Sequence, residues 1–133
     1  MPISYLFPPD TLISGMHPDL TPLEHIDELD ELLHESTHRP LLLFKHSYSC
    51  GISAEALDEL VEHLNASAPG SIRYAMVTVQ THRDVSNAVA KKLGVRHETP
   101  QALMIRDGRV VWAASHFRVT AKAVDAAIKA VAQ

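Results

Sequence analysis

One side chain in this sequence offers nucleophilic chemistry that nothing else in it duplicates: Cys50, the single cysteine among 133 residues. It follows the run Leu41-Leu42-Leu43-Phe44-Lys45-His46-Ser47-Tyr48-Ser49 and precedes Gly51-Ile52-Ser53. Four consecutive bulky apolar residues behind Pro40 suit a strand buried on both faces. From Gly51 the period changes, and Ile52, Ala56, Leu57, Leu60, Val61 and Leu64 recur at helical spacing. Cys50 is therefore expected where a strand hands over to a helix. Unpaired N–H groups and the positive end of the helix dipole gather at such a point, and they favour a thiolate, the nucleophilic form. The bland alternative is a small apolar cysteine packed in the core. The polar neighbours Ser47, Tyr48, Ser49 and Ser53 argue for the reactive reading.

The elements around this junction follow from pattern. Residues 1–20 carry several prolines and little periodicity, which predicts an extended arm with room for one short strand, ahead of a single domain over 21–133. Thr21, Pro22 and Glu24 form a capping pattern for a first helix, with Ile26, Leu29, Leu32 and Leu33 as its buried stripe. A second strand is expected from Ile72 to Val79. Asp84 is expected to cap a helix striped by Val85, Ala88, Val89 and Leu93 and stopped by Gly94. Pro100 cannot donate to a sheet ladder and so belongs at a strand start. Ala102–Arg106 and Arg109–Ala113 flank Asp107-Gly108, a pair suited to a tight hairpin. Thr120 opens a last helix with Val124, Ala127, Ile128 and Val131 on one side.

Composition narrows the function classes. The formal charge of −4 gives no footing for nucleic acid or a membrane surface, and no apolar stretch approaches a membrane span. The first residues lack a basic segment and are interrupted by proline, a poor signal peptide. One cysteine excludes an internal disulfide, and a cytoplasmic location is the simplest reading. His34 and His38 have helical ligand spacing, but no cysteine pair or carboxylate joins them, so no metal is expected. A Cys–His hydrolase needs an oriented base beside the sulfur, and no hydrolase motif surrounds Cys50.

The inferred order of helix, strand, helix, strand, helix, hairpin and helix resembles the thioredoxin-like fold, an α/β architecture with a central mixed β-sheet flanked by helices. Three blocks resemble one family more closely, the monothiol bacilliredoxins of YtxJ type: Phe44-Lys45-His46-Ser47 with Cys50, Ile52 and Ser53; His97 through Ala102; and Asp107-Gly108 with Val110-Val111-Trp112 and Ser115-His116. The resemblance implies a cis proline at Thr99-Pro100 facing the cysteine, and removal of bacillithiol, a small thiol, from oxidised proteins. One departure is visible: Gly51 stands where family members commonly carry proline, restoring an N–H and leaving the helix start more flexible.

The lone cysteine limits the mechanism. A dithiol oxidoreductase resolves with a second cysteine three positions on, and that position here is Ser53. Cys50 would take the small thiol onto itself, and an external reductant would release it. The expected substrate-contact residues are Lys45, His46, Gly51, Ile52, Ser53, Thr99 and Pro100, with Ser53 read either as a donor to the sulfur or as a helix-start hydroxyl. Expected partners are S-thiolated proteins, with the low-molecular-weight thiol as co-substrate and no bound cofactor. Two alternatives stand beside this reading: the same chemistry with glutathione, and a non-catalytic binding or regulatory module.

Overall fold

Apolar residues alternate along the central strands so that each side feeds a different core. In the computed structural model, which describes residues 17–67 and 70–131, β2 (Leu41–His46) is buried along its whole length. Leu42 and Phe44 pack with α2 (Gly51–Ser67) and α4 (Ala121–Val131) through Leu57, Leu60, Val124 and Ile128. Leu41 and Leu43 pack on the opposite face with Leu29 and Leu32 of α1 (Ile26–Glu35) and Val85 and Val89 of α3 (Arg83–Leu93). Burial on both faces is what a continuous apolar run requires.

The sheet is completed by β1 (Leu20–Pro22), β3 (Arg73–Thr78), β4 (Gln101–Arg106) and β5 (Arg109–Ser115), in the order β1-β3-β2-β4-β5. β1, β3 and β2 run parallel, whereas β4 is antiparallel to both β2 and β5. The β4–β5 hairpin turns through Asp107 and Gly108, both at positive φ (53° and 72°), which is the geometry that favours this pair. Register slips between Met104 and Ile105, leaving Val111 as the extra residue of a bulge.

Two helix starts differ from expectation. The Thr21-Pro22-Glu24 pattern does not open α1. Thr21 and Pro22 lie in β1 opposite Ala75 and Met76, and the helix begins after His25. Glu28 Oε1 accepts the Glu24 and His25 N–H groups at 2.9 and 3.0 Å. The Glu24 donor, more than any other influence, holds the Glu28 carboxyl below its usual range. A usable cap one turn later leaves Leu20–Pro22 free to finish the sheet edge, where proline is tolerated. Likewise His82, not Asp84, is the N-cap of α3, and Asp84 sits in the first turn. Gly94 ends α3 in the left-handed conformation (φ 65°) as expected, and Thr120 Oγ1 caps α4 by accepting the Ala123 N–H at 3.1 Å. Of the extended arm, residues 1–16 lie outside the described residues; Leu20 belongs to β1.

Candidate active site

The carboxyl ends of β2 and β3 open onto the same end of the sheet as the amino end of β4, since Lys45 pairs with both Val77 and Gln101. Three connections therefore converge there. The first, from β2 to α2, carries Cys50. Its N–H donates to Ser47 O at 3.3 Å and its C=O accepts the Ala54 N–H at 3.1 Å, so Cys50 sits at the start of α2. It is half-buried, and among the described residues no hydrogen bond reaches its sulfur.

Beneath that turn lies a buried polar anchor. Ser53 is fully buried (0% exposed). Its Oγ accepts the Ser47 N–H at 2.9 Å and shares a 2.8 Å hydrogen bond with His46 Nδ1. The hydroxyl is thus committed to the backbone and the imidazole and is not bonded to the sulfur. His46 stacks on Phe44 at 6.0 Å between centroids, and its burial pushes its pKa down, so a neutral ring is favoured. Above the anchor, the Gln80 amide donates to Ser47 Oγ at 2.6 Å and Ser49 Oγ at 3.0 Å, while its Oε1 accepts the Tyr48 N–H at 3.3 Å. Gln80 clamps the whole turn from the β3–α3 connection.

The third connection brings Thr99 and Pro100. The bond between them is cis, Thr99 is half-buried, and Pro100 O accepts the His116 N–H at 2.9 Å. Gly51 is exposed and Ile52 half-buried at the helix mouth. A groove of about 420 Å³ continues from Ile52 past Ala56 to His116, Phe117 and Val119. Phe117 stands 72% exposed on its rim.

Of the residues expected to contact substrate, Gly51 is exposed, Ile52 and Thr99 are half-buried, and Pro100 is buried. Lys45, His46 and Ser53 are buried beneath the turn, at 0%, 8% and 0% exposed. Sequence reasoning missed Gln80. A polar residue directly after a parallel strand, at the end where α/β sheets place their sites, was the available signal.

A half-buried thiol at a helix start, at the same end of a five-stranded mixed sheet as a cis-proline turn, defines a thioredoxin-like protein with one cysteine. Solved structures agree on the fold. A thioredoxin-fold protein proposed to be an oxidoreductase is 30% identical, with a TM-score of 0.72 over 83% of this chain and 94% of its own. Mitochondrial thioredoxin 3 of Saccharomyces cerevisiae is 16% identical, with a TM-score of 0.65 over 84% and 94%. Fasciola hepatica thioredoxin is 18% identical, with a TM-score of 0.61 over 84% and 98%. The profile of the monothiol bacilliredoxin BrxC family matches residues 21–124, and the chain belongs to that family. Membership and fold together assign it a thiol redox role.

Proposed function

We propose that this chain is a monothiol oxidoreductase that takes a low-molecular-weight thiol, bacillithiol or a close relative, off oxidised proteins. The observation that carries the reading is Cys50, half-buried at the start of α2 with no hydrogen bond to its sulfur among the described residues, in a sequence with no second cysteine to resolve it. The Cys50 thiolate attacks the small-thiol sulfur of a protein mixed disulfide. An S–S bond forms between Cys50 and the small thiol, the original S–S bond breaks, and the protein sulfur leaves as a thiolate that takes a proton from water. An external thiol or reductase then reduces the Cys50 mixed disulfide.

The chain's own residues prepare this step. Gly51 and Ile52 begin α2 directly after Cys50, and N–H groups in a first helical turn favour negative charge near them. Ser53 and Gln80 hold the turn, the backbone of Thr99 and Pro100 receives the incoming disulfide, and the groove past Ile52 receives the protein flanking it. No bound cofactor enters the scheme, because the small thiol is itself the co-substrate.

The test incubates a protein carrying a bacillithiol mixed disulfide, and separately one carrying glutathione, with this chain, and follows both partners by intact mass. Transfer of bacillithiol to the wild type but not to Cys50→Ala supports the proposal. Preferential transfer of glutathione changes the co-substrate. Modification of Cys50 that never passes on to an added reductant favours the regulatory module.

A further inference from the structure

Lys45 is a charged residue that the exchange chemistry does not use. It lies on the sheet face of Leu41 and Leu43, is 0% exposed, and occupies a site where an apolar side chain would extend the core. Its Nζ has one hydrogen-bond partner among the described residues, His97 Nδ1 at 3.0 Å. A buried ammonium with a single acceptor is a net cost to folding that methionine would not incur. His97 belongs to the irregular segment 94–100 between α3 and β4, which ends in Thr99-Pro100. At its start the segment is tied to α3, where Ala90 O accepts the Gly94 and Val95 N–H groups. Towards its end Gln101 Nε2 donates to Arg96 O at 3.0 Å and Pro100 O accepts from His116, so that among the described residues only the Lys45 bond holds the His97 side chain.

We propose that Lys45 is a positioning residue, which through its hydrogen bond to His97 holds the Thr99–Pro100 backbone in register for an incoming disulfide. The fastening itself follows from geometry; its use in exchange rests on the oxidoreductase reading above. The bond requires a neutral imidazole as acceptor. Burial, the Lys45 charge and Arg83 all push His97 below its usual range, against an opposing pull from Glu98, so the acceptor form prevails at neutral pH. On acidification two cations face each other and the tie is lost.

The test compares the full-length wild type with Lys45→Met, His97→Leu and His97→Asn. Asparagine places an acceptor near the position of Nδ1 but does not titrate. Lys45→Met and His97→Leu are expected to raise KM for a thiolated protein roughly tenfold, with kcat and the iodoacetamide rate of Cys50 within about twofold. His97→Asn retains the wild-type KM, and it loses the rise in KM that the wild type shows as pH falls through the His97 titration. Amide hydrogen exchange over residues 95–101 supplies a readout that needs no activity, and it quickens roughly tenfold in the first two variants only. Unchanged KM in Lys45→Met, or a loss confined to kcat, overturns the positioning role. If the wild type transfers nothing, the oxidoreductase reading fails by itself; amide exchange then decides the fastening, with wild-type rates in Lys45→Met overturning it.

Discussion

Cys50 owes its setting to buried polar groups beneath it. Ser53 matters because its one oxygen serves both the Ser47 N–H and His46. Ser53→Ala strands that buried N–H and is expected to cost about 1–3 kcal/mol in urea unfolding; a loss under about 0.5 kcal/mol would show that the hydroxyl anchors nothing. Lys45 makes a pH-dependent contribution whose sign is set by burial, which lowers its pKa from 10.5 to about 8. Between those values the unfolded chain holds a proton that the folded chain has released, so stability rises with pH. The wild type should gain on the order of 3 kcal/mol relative to Lys45→Met between pH 8 and 10.5. Parallel stability curves for the two proteins would refute it.

At the scale of elements, the start of α2 is the part under functional demand. Gly51 is exposed, a Cβ there would meet nothing within 4 Å, and its φ is not positive. Nothing in this backbone therefore requires glycine. Gly51→Ala is expected to stabilise the protein by about 0.5–1 kcal/mol, chiefly through the unfolded chain, and to leave Cys50 alkylation intact. The end of α3 behaves oppositely. A Cβ at Gly94 also meets nothing, but its φ of 65° lies in the left-handed region. Gly94→Ala is expected to destabilise by about 1 kcal/mol. Thermal melts of the pair check both signs, and equal shifts in one direction would contradict the assignment.

Across the whole molecule, a buried polar bridge joins three elements, α2, α4 and β3, that share one apolar core. His63 of α2 bonds Asp125 of α4 through Nδ1 and Tyr74 OH of β3 through Nε2, the latter at 2.8 Å. His63 is 2% exposed, so a lost partner is not replaced by water. Tyr74→Phe removes only the hydroxyl and should cost about 1–2 kcal/mol without altering thiol reactivity. A variant as stable as the wild type would mean that the bridge is incidental. Among the described residues no helix is long and apolar enough to cross a membrane.

The amino-acid order by itself determined the alternation of strand and helix, the junction that holds Cys50, the Asp107-Gly108 hairpin and the Gly94 stop. Each follows from a local rule: apolar period, cap chemistry or a residue that tolerates positive φ. Tertiary structure decided matters that local rules leave degenerate. Thr21-Pro22 satisfied a helix-start pattern and an edge strand equally well, and pairing with β3 settled it. Lys45, His46 and Ser53 read as site residues beside the cysteine, yet all three are buried, the first two because helices cover both faces of β2. Gln80 and His97 stand 30 and 47 positions from Cys50 in the sequence, and they reach the site region because the carboxyl ends of parallel β2 and β3 and the amino end of antiparallel β4 lie at one end of the sheet. Spacing along a chain encodes which face a residue takes only after its partners across the sheet are known.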